Sequence, residues 1–108
     1  MTTSTYNTPR TDVRYDVRDL RDMIVQWCDE VHPNRTHEDM ITKLKEEFAE
    51  FSERPLDAWE MADIFIILID LCDDLGFDIA KIVTRKMDIN KNRSWKLKDG
   101  VLSHVRTA

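Results

Sequence analysis

The sequence contains few of the residues that make turns, and few cysteines. Its 108 residues include only 2 Gly, 3 Pro and 2 Cys. Since tight turns depend on glycine and proline, this composition argues against many short strands and favours a few long helices. The two cysteines, Cys28 and Cys72, have the spacing of neither a metal site nor a redox motif, so we interpret them as reduced, buried thiols.

Further absences exclude whole classes of function. The net charge is −5 and no basic tract occurs, which argues against a protein that binds nucleic acid. The apolar run over residues 64–69 is far shorter than the roughly 20 residues that span a bilayer, so no membrane segment is expected. The polar amino terminus lacks the apolar centre of a signal peptide. Together these features predict a single cytoplasmic domain.

Apolar residues recur at intervals of three and four along most of the chain, which predicts helices. A first helix carries its apolar stripe over residues 17–31. Thr36, with Asp39 three residues later, has the pattern of a capping box at the start of a second helix. Pro55 lies where that helix should end, because proline cannot continue a helix.

The third predicted helix begins near Asp57 and is apolar on nearly all sides, so we expect it to be the central and most buried element. Gly76 should end it, and Asp78 can cap a fourth helix whose Ile82 and Val83 should point inward. The predicted fold class is therefore all-α, a four-helix bundle without strands. The predicted organisation is a flexible leader over 1–12, a helical domain over 13–95 and a polar tail over 96–108 with a turn at Gly100.

Carboxylates crowd the segment "KEEFAEFSERPLDAWEMAD", directly before the most apolar part of the chain. Glu47 and Glu50 are three residues apart on the second helix, and Glu60 and Asp63 repeat that spacing on the third. A short link should make these helices antiparallel, and four converging carboxylates attract a hard divalent cation such as Mg²⁺ or Mn²⁺. The alternative is a solvated acidic face. The position of Asp63 beside the apolar run argues against this alternative, because a merely solvated carboxylate is rarely placed next to a core. Asp70 is either an outer partner of this site or the partner of an arginine or lysine.

A second polar group lies on the fourth helix. Lys86, Asn90 and Arg93 continue its apolar face, so we expect them to point toward the bundle and to bind phosphate oxygens. The alternative is a basic helix end that complements the helix dipole. Gln26 could bond the edge of a base. A base could also stack on a tryptophan, although core positions are the stronger expectation for all three, Trp27, Trp59 and Trp95.

The two groups together resemble a known family. "EEFAE" at 46–50 and "EMAD" at 60–63 are similar to the EExxE…ExxD signature of the MazG-like all-α nucleoside triphosphate pyrophosphohydrolases. "KMDINKNRSW" at 86–95 resembles a further helix of that superfamily, and its R-x-W ending is typical of one branch. That branch comprises the dATP/dGTP diphosphohydrolases of phages and bacteria, the MazZ-like proteins. The resemblance extends over residues 17–95.

This resemblance implies cofactors, partners and residue roles. It implies more than one Mg²⁺ or Mn²⁺ ion per site, and a homodimer or homotetramer (a dimer of dimers) whose protomers complete the pocket. Glu46 or Glu47 would orient or deprotonate the attacking water. The implied metal ligands are Glu47, Glu50, Glu60 and Asp63, and the implied phosphate-binding residues are Lys86, Asn90 and Arg93.

The expected function is hydrolysis of a purine deoxynucleoside triphosphate, dGTP or dATP or both, to the monophosphate. Pyrophosphate or two phosphates would leave, and the residues do not distinguish the two outcomes. In the phage branch the resemblance implies supply of dGMP for modified-purine synthesis, in the cytoplasm of the host. Two alternatives stay open: a house-cleaning pyrophosphohydrolase for a pyrimidine or non-standard deoxynucleoside triphosphate, and a non-catalytic helical module that binds nucleotides.

Overall fold

A computed structural model describes residues 15–106 of the chain. The predicted four helices are confirmed, and a two-stranded antiparallel hairpin follows them. None of the helices in this part of the chain is long and apolar enough to cross a membrane. The predicted leader over 1–12 lies outside the described residues. The helices are Val17–Val31 (α1), His37–Glu53 (α2), Ala58–Asp74 (α3) and Ile79–Lys91 (α4), and the strands are Trp95–Lys98 (β1) and Val101–His104 (β2).

Side chains at the helix starts fix where the helices begin. The Thr36 side chain accepts a hydrogen bond from the backbone N–H of Asp39 (3.1 Å), and Asp39 accepts one from the backbone N–H of Thr36 (3.0 Å). This reciprocal pair is the predicted capping box of α2. Asp78 caps α4, also as predicted. Asp57, expected in the first turn of α3, is the N-cap residue directly before it. Gly76 follows the end of α3 with a φ of 78°, in the left-handed region that favours glycine.

Helix α3 lies between the other three helices. It contacts α1, α2 and α4, and it carries the buried residues Ile69 and Asp70, so its central position is as predicted. Its apolar surface is nevertheless not fully covered within the chain, since Phe65 is 57% exposed. Ile82 and Val83 of α4 are also exposed, so the expectation that they point inward is wrong for the single chain. Apolar surface on this scale is typical of a protein that associates.

The tryptophans do not lie in the core. Trp27 and Trp59 are each 56% exposed and Trp95 is 36% exposed, so the stronger sequence-based expectation is wrong within the single chain. The reason is that helical spacing predicts which face is apolar, but it does not predict whether another part of the same chain covers that face.

The two cysteines are buried, which confirms that part of their interpretation, and no disulfide joins them. Burial is the main cause that raises the pKa of both thiols, of Cys28 on α1 and of Cys72 on α3. A raised pKa keeps the thiolate scarce at neutral pH, and the thiolate is the reactive form. We therefore assign neither residue a chemical role.

The carboxyl-terminal segment corrects the prediction of a polar tail without strands. β1 pairs with β2 in antiparallel register, with Trp95 opposite His104. Asp99 and Gly100 form a two-residue turn, and both have positive φ, 52° and 79°. Such a turn matches the right-handed twist of a hairpin, and the turn predicted at Gly100 is thereby confirmed. β1, "WKLK", alternates apolar and charged residues, but it has only four residues, and β2, "VLSH", shows no such alternation.

Candidate metal centre and adjoining cavity

A short link places the end of α2 beside the beginning of α3. The backbone N–H of Arg54 donates to the carbonyl of Glu50 (3.1 Å), and that of Asp57 donates to the carbonyl of Arg54 (3.0 Å). The chain therefore turns tightly, and α2 packs against α3 more extensively than any other two helices of residues 15–106 pack. Carboxylates late in α2 thus face those in the first two turns of α3, as the sequence predicts.

Glu47, Glu60 and Asp63 form a compact cluster of carboxylates. Each offers one oxygen, and these oxygens lie within 4.8 Å of one another. Glu47 is only 5% exposed, and the buried Oε2 atoms of Glu47 and Glu60 have no hydrogen-bond partner within residues 15–106. A buried carboxylate oxygen without a donor is costly, because it has lost its hydration without replacement. A hard cation would supply the missing partner, and carboxylate oxygens are the ligands that Mg²⁺ and Mn²⁺ prefer.

Glu50 belongs electrostatically to the same group. Repulsion from Glu47, followed by partial loss of hydration and repulsion from Glu60, raises the pKa of Glu50. Partial loss of hydration, followed by repulsion from Glu47, also raises the pKa of Asp63. Such shifts arise where like charges are held close together without enough compensation. The structure therefore brings together the four carboxylates that the sequence predicts as metal ligands, and metal binding by them stays a prediction.

Lys43 is a member of the site that the sequence analysis missed. Its Nζ lies 2.9 Å from Oε1 of Glu47 and 3.8 Å from Oε2 of Glu46. The hydrogen bond to Glu47 is the main cause that raises the pKa of Lys43. The spacing of four residues between Lys43 and Glu47 could have predicted this contact, because side chains four apart are neighbours on a helix. Lys43 orients one oxygen of Glu47, whereas Glu46 lies on the exposed rim, outside the cluster of three.

A cavity of about 640 Å³ opens beside the cluster, between α1, α2 and α3. Glu47 and Asp63 belong to both the cluster and the cavity wall, and Ile66 contributes apolar surface. Trp27 borders the cavity, but its neighbour Gln26 is exposed and is not one of the lining residues. The volume lies in the range of roughly 300–1,000 Å³ that is usual for small-molecule sites. The structure thus brings Trp27, and not Gln26, to a space that could hold a nucleotide.

A buried ion pair forms the polar part of the cavity wall. The guanidinium of Arg35 donates to Asp70 through Nε (2.8 Å) and Nη2 (2.7 Å), and through Nη1 to the more exposed Asp29 (2.9 Å). The side chains of Arg35 and Asp70 are only 10% and 6% exposed. The sequence analysis allowed two interpretations of Asp70, and the structure confirms the one in which Asp70 is the partner of an arginine. The pair connects the loop between α1 and α2 to the carboxyl-terminal half of α3.

The predicted phosphate-binding residues lie apart from this cavity. Lys86 and Arg93 on and after α4 are exposed, so the expectation that they point toward the bundle is wrong for the single chain. Asn90 is half-buried, and its Oδ1 is buried without a hydrogen-bond partner in the described residues. None of the three lines the cavity, because α4 packs on α1 and α3 and not on α2. Their role in binding phosphate stays a prediction.

The chain is similar to known proteins of one family. Residues 20–105 match the family model for dATP/dGTP pyrophosphohydrolases. A dATP/dGTP diphosphohydrolase of Salmonella phage PMBT28 is 43% identical over 91 residues, which are 82% of this chain and 31% of the relative. A dATP/dGTP diphosphohydrolase of Cyanophage S-2L is 36% identical over 92 residues, which are 82% of this chain and 88% of the relative. The chain therefore spans about a third of the Salmonella phage relative and most of the cyanophage one.

A solved structure of a phage protein is similar over most of this chain. It is the Cyanophage S-2L MazG-like pyrophosphohydrolase, bound to dGDP and three catalytic Mn²⁺ ions per active site. The two structures superpose with a TM-score of 0.80 and 33% sequence identity, over 86% of this chain and 100% of the cyanophage chain.

Proposed function

Because the chain belongs to the dATP/dGTP pyrophosphohydrolase family, we propose that it hydrolyses a purine deoxynucleoside triphosphate, dGTP or dATP, to the monophosphate with Mg²⁺ or Mn²⁺. The observation that carries this proposal is the cluster of Glu47, Glu60 and Asp63, in which two buried oxygens have no hydrogen-bond partner in the described residues. The dGDP and Mn²⁺ ions bound by the cyanophage neighbour support it.

The position of each residue in the site indicates its proposed role. Divalent ions, when bound, supply an acidified water and neutralise charge on phosphoryl oxygens. Lys43 keeps Glu47 oriented through its 2.9 Å contact. Glu46 lies on the exposed rim, where it can take a proton from the attacking water and release it to solvent. The residues that would hold more than one ion are Glu47, Glu50, Glu60 and Asp63.

The cavity provides a place for the base and sugar next to the carboxylates. Trp27 offers an indole face for stacking, and Ile66 offers apolar surface from α3. We place no base contact on Gln26, which lies outside the cavity wall. Arg35 and Asp70 also line the cavity, where their polar atoms are already hydrogen-bonded to each other. This arrangement favours a nucleotide substrate over a bare polyphosphate.

A substrate panel tests the proposed reaction. The full chain should convert dGTP or dATP to the monophosphate in Mg²⁺ or Mn²⁺, and EDTA should abolish turnover because the carboxylate cluster then has no cation to hold. Products are identified by anion-exchange chromatography, which also separates released pyrophosphate from two phosphates.

Two other results, one from the same panel and one from the panel combined with calorimetry, would favour the two alternative functions. Faster turnover of dCTP, dUTP or a non-standard nucleotide than of either purine would favour the house-cleaning pyrophosphohydrolase. Nucleotide binding by calorimetry without turnover of any triphosphate would favour the non-catalytic module.

We further propose that the reaction takes place in the cytoplasm, that of the host where a phage encodes the chain, and that it supplies dGMP for modified-purine synthesis. The free, buried thiols of Cys28 and Cys72 support a reducing compartment. Both curated relatives named above come from phages, which supports a phage-linked role.

The active assembly that we propose is a homodimer or homotetramer. The apolar side chains left exposed on α1, α3 and α4 need a cover, and a second copy of the chain provides one with matching surface. Lys86 and Arg93 lie outside the cavity of their own chain. In an assembly they could instead contact the substrate bound by a second copy. Exposed apolar residues that support this proposal are Met23, Phe65, Leu68, Ile82, Val83 and Met87.

Phe65→Glu should dissociate this assembly. Phe65 is 57% exposed at the centre of the apolar surface of α3, and an interface would bury the new carboxylate without a partner. We expect the dissociation constant of the assembly to rise at least about 100-fold, since an unpaired buried charge costs several kcal/mol. Sedimentation velocity over a range of protein concentrations measures it. Lys45→Glu, at an exposed position of α2, is the control and should leave the sedimentation profile unchanged. A wild-type chain that sediments as an active monomer would disprove the assembly.

A further inference from the structure

Basic residues are concentrated in the carboxyl-terminal part of the chain. From residue 79 to the end there are eight Lys and Arg against two Asp, whereas the first 78 residues have eight against nineteen Asp and Glu. Every lysine or arginine that forms a salt bridge in residues 15–106 precedes residue 45. The described cations of α4 and the hairpin therefore have no carboxylate partner within this part of the chain.

The hairpin folds back onto the end of α4. Nε1 of Trp95 donates to the carbonyl oxygen of Asn90 (2.7 Å), and the backbone N–H of Val105 donates to the carbonyl of Ser94 (2.8 Å). The Trp95 ring lies against the imidazole of His104, with centroids 5.9 Å apart and planes tilted by 53°. These contacts hold His104 beside the carboxyl-terminal end of α4, at the level of the predicted phosphate-binding residues.

His104 lies near basic residues of the end of α4 and of the segment after β2. Partial loss of hydration, followed by repulsion from Arg93, Arg106 and Lys86, lowers the pKa of His104. No carboxylate contributes to this shift. The hydrogen bond from Val105 to Ser94 brings the segment that carries Arg106 beside the segment that carries Arg93. An anion bound near these cations and His104 would offset their mutual repulsion.

We propose that Lys86, Arg93, His104 and Arg106 form one polyphosphate-binding cluster, in which the hairpin residues His104 and Arg106 help to hold the terminal phosphates of a substrate bound at the carboxylate cluster of a neighbouring copy. The identity of the substrate rests on the proposed function above. A triphosphate offers several charged oxygens along a short chain, and the cluster offers two guanidinium forks, an ammonium and an imidazole N–H from two adjoining elements. His104 and Arg106 are positioning residues, because the bond that breaks lies at the carboxylate cluster.

Binding of tripolyphosphate to the full chain in EDTA tests the cluster apart from catalysis. Isothermal titration calorimetry should show that Arg106→Gln weakens binding by about tenfold or more, as expected for one lost charge-assisted hydrogen bond. His104→Gln should weaken it by a smaller factor. Arg106→Lys should restore part of the affinity because it restores the charge. In the wild type, tripolyphosphate should raise the pKa of His104, measured by NMR, since a bound anion offsets the repulsion from Lys86, Arg93 and Arg106.

The matched control is Lys98→Gln, which removes one positive charge from the same hairpin beside its turn. It should leave tripolyphosphate affinity within about twofold of the wild type, because a distant exposed charge is largely screened by salt. In turnover assays Arg106→Gln should raise KM for the triphosphate and change kcat little, as loss of uniform binding does.

Several results would overturn the cluster. If Lys98→Gln weakens tripolyphosphate binding as much as Arg106→Gln does, the loss of affinity follows from net charge alone and no specific cluster exists. Unchanged tripolyphosphate affinity in both Arg106→Gln and His104→Gln would disprove the cluster even if the wild type hydrolyses dGTP. A change in sedimentation without a change in affinity would assign these residues to an interface with an acidic surface. If the wild type hydrolyses no triphosphate, the proposed function fails while the calorimetry still decides the cluster.

Discussion

Replacement of Glu60 by glutamine should lower kcat/KM for the preferred triphosphate by at least about 100-fold, because even the groups that merely orient a metal ligand are worth about 10- to 100-fold. Glu60 belongs to the cluster of carboxylate oxygens within 4.8 Å of one another, and its buried Oε2 has no hydrogen-bond partner in the described residues. Glutamine keeps the shape and removes the charge that a divalent ion needs. Steady-state kinetics and calorimetric titration with Mn²⁺ measure the two parts of the effect.

In the metal-free protein, the same substitution should increase stability. Glu60 is one of the groups whose repulsion raises the pKa of Glu50, and the first cause is Glu47. A carboxyl with a raised pKa binds its proton more tightly in the folded than in the unfolded state, so folding stability falls as the pH rises through that pKa. Glu60→Gln should therefore raise Tm in EDTA at neutral pH, while abolishing the rise in Tm that Mn²⁺ gives the wild type.

Glu53→Gln is the control for both the kinetic and the stability measurements, because Glu53 is an exposed carboxylate at the end of α2, the helix that carries Glu47 and Glu50. It should leave kinetics and metal affinity unchanged. Wild-type activity in Glu60→Gln would remove Glu60 from the ligand set. A lower Tm in EDTA would show that the carboxylate stabilises the fold directly and has no need of a cation.

The sequence predicts those features that depend on neighbours close along the chain. The caps at Thr36 and Asp78 follow from side-chain oxygens within three residues of the helix start. The meeting of Glu47 with Glu60 follows from their spacing within each helix and from a link too short to separate α2 from α3. Local geometry is sufficient in each case.

Features that depend on distant or missing partners could not be predicted. Arg35 and Asp70 are 35 positions apart, and no spacing in the sequence relates them. The exposure of Trp59 and Phe65 depends on whether a second copy covers them, which hydropathy within one chain does not express. The hairpin was missed because its strands are short, although "DG" at 99–100 is a strong signal for a two-residue turn.

Asp70→Ala should have the largest effect on stability, a loss of about 3–5 kcal/mol in the free energy of unfolding, which is typical when one partner of a buried ion pair is removed. Asp70 accepts two hydrogen bonds from Arg35, and both side chains are nearly buried. Without Asp70 the guanidinium stays in the wall of the cavity with only Asp29 and the carbonyl of His32 as acceptors. Urea unfolding followed by circular dichroism, at one protein concentration, measures the loss.

Two further variants separate the ion pair from simple loss of packing. Asp29→Ala removes the other carboxylate bound to the same guanidinium, but Asp29 is 63% exposed, so the cost should stay below about 1 kcal/mol. Arg35→Met combined with Asp70→Leu removes both charges and fills the space, and it should recover most of the stability lost in Asp70→Ala because no buried charge is left unpaired. If the double variant is less stable than Asp70→Ala, the ion pair itself stabilises the fold. Equal losses for Asp70→Ala and Asp29→Ala would show that burial of Asp70 has no energetic weight, and the link between α3 and the α1–α2 loop would then have another origin.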